Sequence, residues 1–205
     1  PRSTLFPYTT LFRSNPYCAR PLAQTHADRV VVCNPPALPL TTEQLDAVYT
    51  LPFSREPHPC YLETIPAFEQ IKLSLTSHRG CYGGCSFCAI TAHQGKFIQS
   101  RSAGSVMTEL QALSAKKWFR GAVSDIGGPT ANMYDTGCSA PDSGKNCRRP
   151  SCLHPRICPN LKVGDQAAVA LLRRAGQQPG VRSITINSGV RHDLLEQQPD
   201  YFTAL

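Results

Sequence analysis

The sequence predicts an α/β protein in which short strands and amphipathic helices alternate along the chain. Three observations carry that prediction. Residues 71–76 alternate apolar and polar side chains, as a half-buried strand does. Within 102–117, Val106, Leu110 and Leu113 recur at helical spacing. A further helix and strand follow between Asp165 and Asn187, completing the strand–helix–strand rhythm of a parallel sheet.

Taken in order, residues 4–14 read TLFPYTTLFRS, which matches the translation of a widely used sequencing-library adapter. Residues 1–14 are therefore read as adapter-derived and set aside from the fold. Residues 15–70 are rich in proline, with turn marks at Asn34-Pro35-Pro36 and Pro57-His58-Pro59. Within them Arg29–Cys33 is a short apolar strand candidate, and Thr41–Tyr49 a helix capped by Thr41 or Thr42. This stretch alone has too little apolar surface to make a domain.

The strand over 71–76 runs straight into the segment RGCYGGCSFC, residues 79–88. Helix 102–117 comes next, with Met107 beside its apolar face and Glu109, Lys116 and Lys117 directed elsewhere. The second strand spans Gly121–Ile126 and ends in Gly127-Gly128-Pro129-Thr130. Asp165 caps a helix that closes near Gly176, with Val169 and Leu172 on its buried side. Gln177–Gly180 turns the chain into the third strand, Val181–Asn187, and LLEQQPDYFTAL begins another helix.

The formal charge is +7 and the cationic residues are scattered, apart from Arg148–Arg149 and Lys116–Lys117. A solvated surface explains such a pattern, and nucleic acid is not indicated. No apolar run approaches the ~20 residues a membrane span needs. Ten cysteines are many for 205 residues. They group as C-x3-C-x2-C and C-x8-C-x4-C-x5-C, with Cys18, Cys33 and Cys60 single. That grouping suits metal binding in a reducing cytoplasm better than a disulfide scaffold.

Cys81, Cys85 and Cys88 lie at the C-terminal end of the first strand, where the βα loops of barrel enzymes gather their active sites. Three thiolates hold three irons of a cubane iron–sulfur cluster and leave the fourth open to chemistry, whereas a fourth cysteine makes an electron carrier. Gly80, Gly83 and Gly84 let the backbone wrap tightly, and Phe87 can cover a cluster or a neighbouring ligand. Spacing alone leaves two alternatives open: a zinc site with His93 as fourth donor, and a redox pair of Cys85 and Cys88.

This loop also resembles the C-x3-C-x-aromatic-C signature of radical S-adenosylmethionine (radical SAM) enzymes. The likeness continues through NPPALPLTTEQLDAVYTLPFSREPHP, SHRGCYGGCSFCAITAHQGKFIQSRS, SDIGGPTANMY and CRRPSCLHPRICPN. Over residues 28–205 the chain resembles the YgiQ-type family of radical SAM proteins. The resemblance implies a partial (βα) barrel of the radical SAM type, truncated after about three βα units, with a Cys-rich loop inserted over 131–164. Residues 15–70 would be the remnant of an N-terminal domain with its linker, and 71–205 the N-terminal part of the core. The implied cofactors are a 4Fe–4S cluster on Cys81, Cys85 and Cys88, and S-adenosylmethionine (SAM). Phe87, Gly127, Gly128, Pro129, Asn187 and Ser188 are the implied SAM contacts. In radical SAM enzymes the loop after the second strand reads Gly-Gly-Glu; here Pro129 replaces the acid, so carbonyl oxygens take its place. The implied partners are a substrate the resemblance does not name and a reductant such as a flavodoxin or ferredoxin.

Several residues carry a plainer reading beside the functional one. The glycine pair 127–128 also makes a tight turn, and Asn187 and Ser188 also serve as strand-end caps. His78 and His93 flank the cysteine loop as polar loop residues or proton carriers. Arg79 and Arg101 form surface salt links or pair with a ligand carboxylate. Tyr134 and Cys138 are further candidate contacts near the rim, with nothing in the sequence to single them out. Cys138, Cys147, Cys152 and Cys158 fit structural zinc or an auxiliary iron–sulfur cluster, and ligand count does not separate the two. A zinc-binding interaction module and an iron–sulfur electron-transfer protein are the rival functions.

Overall fold

The computed structural model describes residues 15–140 and 147–205, which fall into two compact units. The adapter-like segment 1–14 lies outside the described residues. The first unit joins the described part of 1–39 to Gly80–Ile98 and the described part of Thr136–Lys162; the second joins Leu40–Arg79, Gln99–Asp135 and Val163–Leu205.

The second unit carries the hydrophobic core and the parallel strands. Ser74–Thr76 pairs in parallel with Asp125–Gly127, placing Leu75 opposite Ile126, and Ala122–Val123 pairs in parallel with Ser183–Ile184. Ser124 separates these ladders. Its N–H donates to the Leu73 carbonyl at 3.0 Å, while the Val123 carbonyl accepts from Thr185 at 3.0 Å. Successive backbone groups of a strand point to opposite edges, so the middle segment has a neighbour on each side. The α/β class and the parallel rhythm are thus present. Among the described residues, however, the strands form five separate two-stranded ladders and close no barrel.

The first predicted strand is shorter than its alternation suggested. Pro66 starts a helix, Pro66–Ile71, and the Lys72 N–H closes it on the Phe68 carbonyl at 2.8 Å. Proline suits a first helical turn because it lacks a donor that would go unused there. Ile71 therefore ends a helix and the strand begins at Ser74.

Thr41 caps helix Thr42–Tyr49 with a reciprocal Gln44 contact, a capping box that holds two otherwise orphaned donors. Ser102 Oγ accepts from Ser105 N–H at 3.1 Å to start helix Ala103–Ser114, which buries Val106, Met107, Leu110 and Leu113. Asp165 precedes helix Gln166–Gly176, but its side chain makes no cap. Its carboxylate accepts the Tyr201 N–H at 2.9 Å instead, tying that helix to the short helix Pro199–Ala204. Leu171 rather than Leu172 is the more deeply buried leucine, with Leu172 packed at the core's edge.

A buried ion network braces this core. Arg101 is only 2% exposed. Its guanidinium donates to the Thr76 carbonyl, to the Ser105 hydroxyl and carbonyl, and to Glu109. It also stacks over the Tyr49 ring, 3.8 Å from the centroid. Glu109 is shared with Arg55, whose backbone takes a positive φ of 53° and whose guanidinium also caps the Lys72 and Ser74 carbonyls. Arg101 is therefore a structural residue, not a surface salt link. Glu109, which the helical pattern put on the outward side, is its counter-ion.

The first unit contains a hairpin, Leu22–His26 against Arg29–Cys33, turned at Ala27 with φ 52°. Its first strand, LAQTH, carries no apolar alternation, so only its partner was legible from sequence. The same unit holds the cysteine loop, helix Ile90–Gln94, and the antiparallel pair Gly137–Cys138 with Leu161–Lys162.

Truncating Glu109 leaves two buried guanidinium groups without their shared carboxylate, a class of change that costs about 3–5 kcal/mol. Glu109→Ala is expected to lower the urea midpoint by at least about 1 M, given a slope of roughly 1–3 kcal/mol/M. A shift below about 0.3 M would contradict the network's role.

Candidate functional site

The cysteine loop is built on backbone that only glycine tolerates. Gly80 has φ +90°, and a Cβ placed there would sit 2.1 Å from the Phe97 carbonyl oxygen. Gly84 has φ +61°, and its Cβ would meet the Pro150 carbonyl oxygen at 2.4 Å. Backbone bonds hold the rest: Cys81 N–H donates to the Gly95 carbonyl at 3.0 Å, and Thr91 Oγ1 donates to the Cys81 carbonyl at 2.9 Å. A tight turn joins the last two cysteines, with Cys88 N–H on the Cys85 carbonyl at 3.1 Å. Cys81 is buried, Cys85 and Cys88 are half-buried, and Phe87 between them is 91% exposed.

Tyr82 anchors the loop from within. It is 1% exposed, and its hydroxyl accepts from Thr136 Oγ1 at 3.1 Å. Its carbonyl accepts the Cys152 N–H at 3.0 Å, and Ser151 Oγ donates to the Gly83 carbonyl at 2.6 Å. The segment carrying the second cysteine group therefore clasps the first loop.

All ten cysteines are free of disulfides. Three soft thiols on one tightly wound loop are donors of the right chemistry for iron–sulfur binding. Among the described residues, no three of His, Cys, Asp and Glu are gathered at metal-holding range, so a bound metal or cluster would draw the thiols together. His93 is exposed on helix Ile90–Gln94 and is not brought into such a group.

In the second group, burial pushes the Cys152 thiol up to about 11; the Lys96 charge opposes this, while Cys158, Cys147 and Cys138 add to it. Burial also pulls the Cys147 thiol upward. The Arg149 backbone N–H, the Lys96 hydrogen bond and the Lys96 and Arg149 charges outweigh it, leaving this thiol below its ordinary value.

At the strand ends of the second unit, the glycine pair meets internal groups. A Cβ on Gly127 would approach Ser188 Oγ at 2.7 Å, and one on Gly128 would approach the His78 carbonyl oxygen at 2.6 Å and ring Nε2 at 2.7 Å. Their missing side chains make room for Ser188 and His78. Asp125 organises this rim: its carboxylate accepts Asn187 N–H at 3.1 Å, Ser188 N–H at 3.2 Å, and the Ser188 hydroxyl. Sequence reading missed Asp125, although an acid inside an otherwise apolar strand is a usable signal. Asn187 is exposed, and Pro129 and Ser188 are half-buried.

His78 is fully buried. Its Nδ1 lies 2.9 Å from Ser77 Oγ and its Nε2 lies 3.0 Å from the Thr130 carbonyl. A carbonyl can only accept, so Nε2 carries the proton. Burial lowers the imidazole to about 4 from an ordinary 6.5, against the raising effect of the Thr130 carbonyl. His78 is thus a neutral structural bridge at pH 7. Tyr134, expected near the rim, is buried, and its hydroxyl donates to the Arg101 carbonyl at 2.8 Å. Arg79 donates to the Tyr49 hydroxyl at 3.0 Å.

Comparison with known proteins adds a family context. Residues 7–74 match the family model described as "Radical SAM N-terminal". A UPF0313 protein of Geobacter sulfurreducens is 57% identical over 191 residues, covering 93% of this chain and 32% of that protein. A UPF0313 protein of Methanocella arvoryzae is 50% identical over 187 residues, 91% of this chain and 31% of that protein. The UPF0313 protein YgiQ of Escherichia coli is 48% identical over 194 residues, 94% of this chain and 26% of that protein. The chain therefore spans about a third or less of the length of these curated relatives. Among the described residues no helix is long and apolar enough to cross a membrane.

The buried imidazole sets a pH dependence. Between pH 6.5 and about 4 the unfolded chain takes up a proton that folded His78 refuses. Its contribution to stability is intact above 6.5 and is lost as pH falls to about 4, up to about 3 kcal/mol for a shift of this size. Urea titrations should show His78→Gln, which keeps a donor for Thr130, with a flatter profile over that window. Parallel profiles for the two proteins would contradict the assignment.

Proposed function

Because this chain belongs to the YgiQ-type (UPF0313) family of radical SAM proteins, we propose that it serves the reductive cleavage of SAM, with Cys81, Cys85 and Cys88 holding a 4Fe–4S cluster. The observation that carries this reading is the loop itself: three cysteines at C-x3-C-x2-C spacing, on backbone wound so tightly that Gly80 and Gly84 admit no side chain. When bound, such a cluster supplies an open iron for the amino and carboxylate groups of SAM and one electron to break the sulfonium bond, giving methionine and a 5′-deoxyadenosyl radical.

The chain's own residues supply orientation. Gly95 and Thr91 fix the Cys81 backbone, and a tight turn joins Cys85 to Cys88. Phe87, almost fully exposed, is assigned to cover the ligand and exclude water. Gly127, Gly128, Pro129, Asn187 and Ser188 are the remaining SAM contacts in this reading. Their support is position, at the C-terminal ends of parallel strands. Backbone carbonyls of Gly128 and Pro129 would take the amino group, because no acid follows Gly128 and the Gly127 carbonyl already accepts the Ser77 N–H and hydroxyl. Those strands also support reading the second unit as the opening part of a radical SAM (βα) barrel. The substrate is left to the whole protein, and the electron would come from a flavodoxin- or ferredoxin-like donor.

Protein reconstituted with iron and sulfide without oxygen and then reduced is expected to convert SAM into 5′-deoxyadenosine and methionine. Cys85→Ala should lower that yield by on the order of a hundredfold or more, since one of three ligands is lost. Chromatographic quantitation checks both. Equal yield from the variant, or none from the parent protein despite a full complement of iron, would overturn the reading.

A further inference from the structure

We propose that Cys138, Cys147, Cys152 and Cys158 form a second metal centre, a tetrathiolate site for Zn²⁺ or an iron–sulfur cluster, with the buried ammonium of Lys96 as its charge partner. This goes beyond SAM cleavage and stands on different residues. All four cysteines and Lys96 belong to the first unit.

Backbone bonds tie three of the cysteines into one small fold. Cys138 pairs with Leu161 across the short antiparallel ladder. Leu161 N–H donates to the Cys158 carbonyl at 2.9 Å, and Cys158 N–H donates to the Cys152 carbonyl at 2.7 Å. Cys147 is held separately. Asn15, 1% exposed, donates to its carbonyl at 3.0 Å, and Lys96 Nζ lies 3.3 Å from its sulfur.

Lys96 is the independent pointer. It is 4% exposed, and among the described residues its ammonium meets the Cys147 sulfur, the Arg149 carbonyl at 3.1 Å and the Phe97 ring face. Among the described residues no carboxylate pairs with it. A buried ammonium is strongly unfavourable without an anion beside it. Four thiolates on Zn²⁺, or on an iron–sulfur cluster, carry a net negative charge that meets this need. Soft thiolates also select these metals over harder cations, and four protein ligands close the coordination shell, which marks a structural or electron-carrying centre.

The same segment shows what ordering would achieve. Ser151 and Cys152 hydrogen-bond the Gly83 and Tyr82 carbonyls, and Pro150 packs against Gly84. A metal that gathers these four thiols would lock that clasp onto the first cysteine loop, its binding energy acting as folding energy.

The test removes the first loop from consideration. The full chain carrying Cys81→Ser, Cys85→Ser and Cys88→Ser, purified without oxygen, should retain about one zinc or one cluster's iron per chain. X-ray absorption at the zinc and iron edges should report a four-sulfur shell and tell which metal is held. If that variant folds poorly, wild-type protein titrated with Co²⁺ should give the intense thiolate charge-transfer and tetrahedral bands, lost in Cys147→Ser and Cys152→Ser. Lys96→Met should release metal to a chelator about tenfold faster, and Lys96→Arg should restore retention. Loss of all metal from the triple variant with a silent Co²⁺ titration would overturn the proposal. So would equal retention after all four serine substitutions at 138, 147, 152 and 158. Failure of SAM cleavage leaves every one of these readouts intact.

Discussion

The cysteine loop winds where no side chain would fit: at Gly80 the Phe97 carbonyl occupies the space of a Cβ, and at Gly84 the Pro150 carbonyl does. Positive φ at both positions would burden any other residue even in open space. Two walls of backbone stand against the short chain from Cys81 to Cys88, and a bound cluster would draw its three sulfurs together. The buried Tyr82 pins the start of that chain, while Phe87 is left in solvent. A loop of the same length without those glycines could not be clasped by Ser151 and Cys152.

The two units handle buried charge differently. In the second, Glu109 sits between Arg55 and Arg101, and Arg101 also satisfies the Thr76 carbonyl at the end of the first parallel strand. His78, two residues further on, gives up its charge and bridges Ser77 to Thr130 as a neutral ring. The strand leading toward the cysteines is therefore fixed by groups whose electrostatics are internally complete. In the first unit Lys96 has sulfur and carbonyl neighbours but no carboxylate among the described residues. That asymmetry is the reason the second cysteine group reads as an anionic centre.

Much of the α/β order was legible in the sequence, because periodicity reports local amphipathicity directly. Helix Ala103–Ser114 lies within its predicted span, with the predicted leucines and valine buried. The capping box at Thr41 also follows from residue types at fixed offsets. What sequence could not show were the long-range pairings. Arg101 looked like a surface or ligand-binding cation because its partner, Glu109, lies on the side of the helix that periodicity assigned to solvent. Gly127 and Gly128 looked like an approach path for a ligand, yet Ser188 and His78 use that space. Ile71 looked like the start of a strand because alternation cannot register that Pro66 has already begun a helix. At the cysteine loop the sequence carries ligand type and spacing directly, and the proposed chemistry rests on these.

The central claim is that the Cys81, Cys85 and Cys88 thiolates leave one iron open for SAM, and electron paramagnetic resonance of the reduced, iron-loaded protein addresses it most directly. Adding SAM is predicted to shift the g-values of the reduced cluster, and SAM labelled with ¹⁷O at its carboxylate should show hyperfine coupling to iron. An iron–sulfur signal that SAM leaves unchanged, with no coupling to the label, would contradict the account.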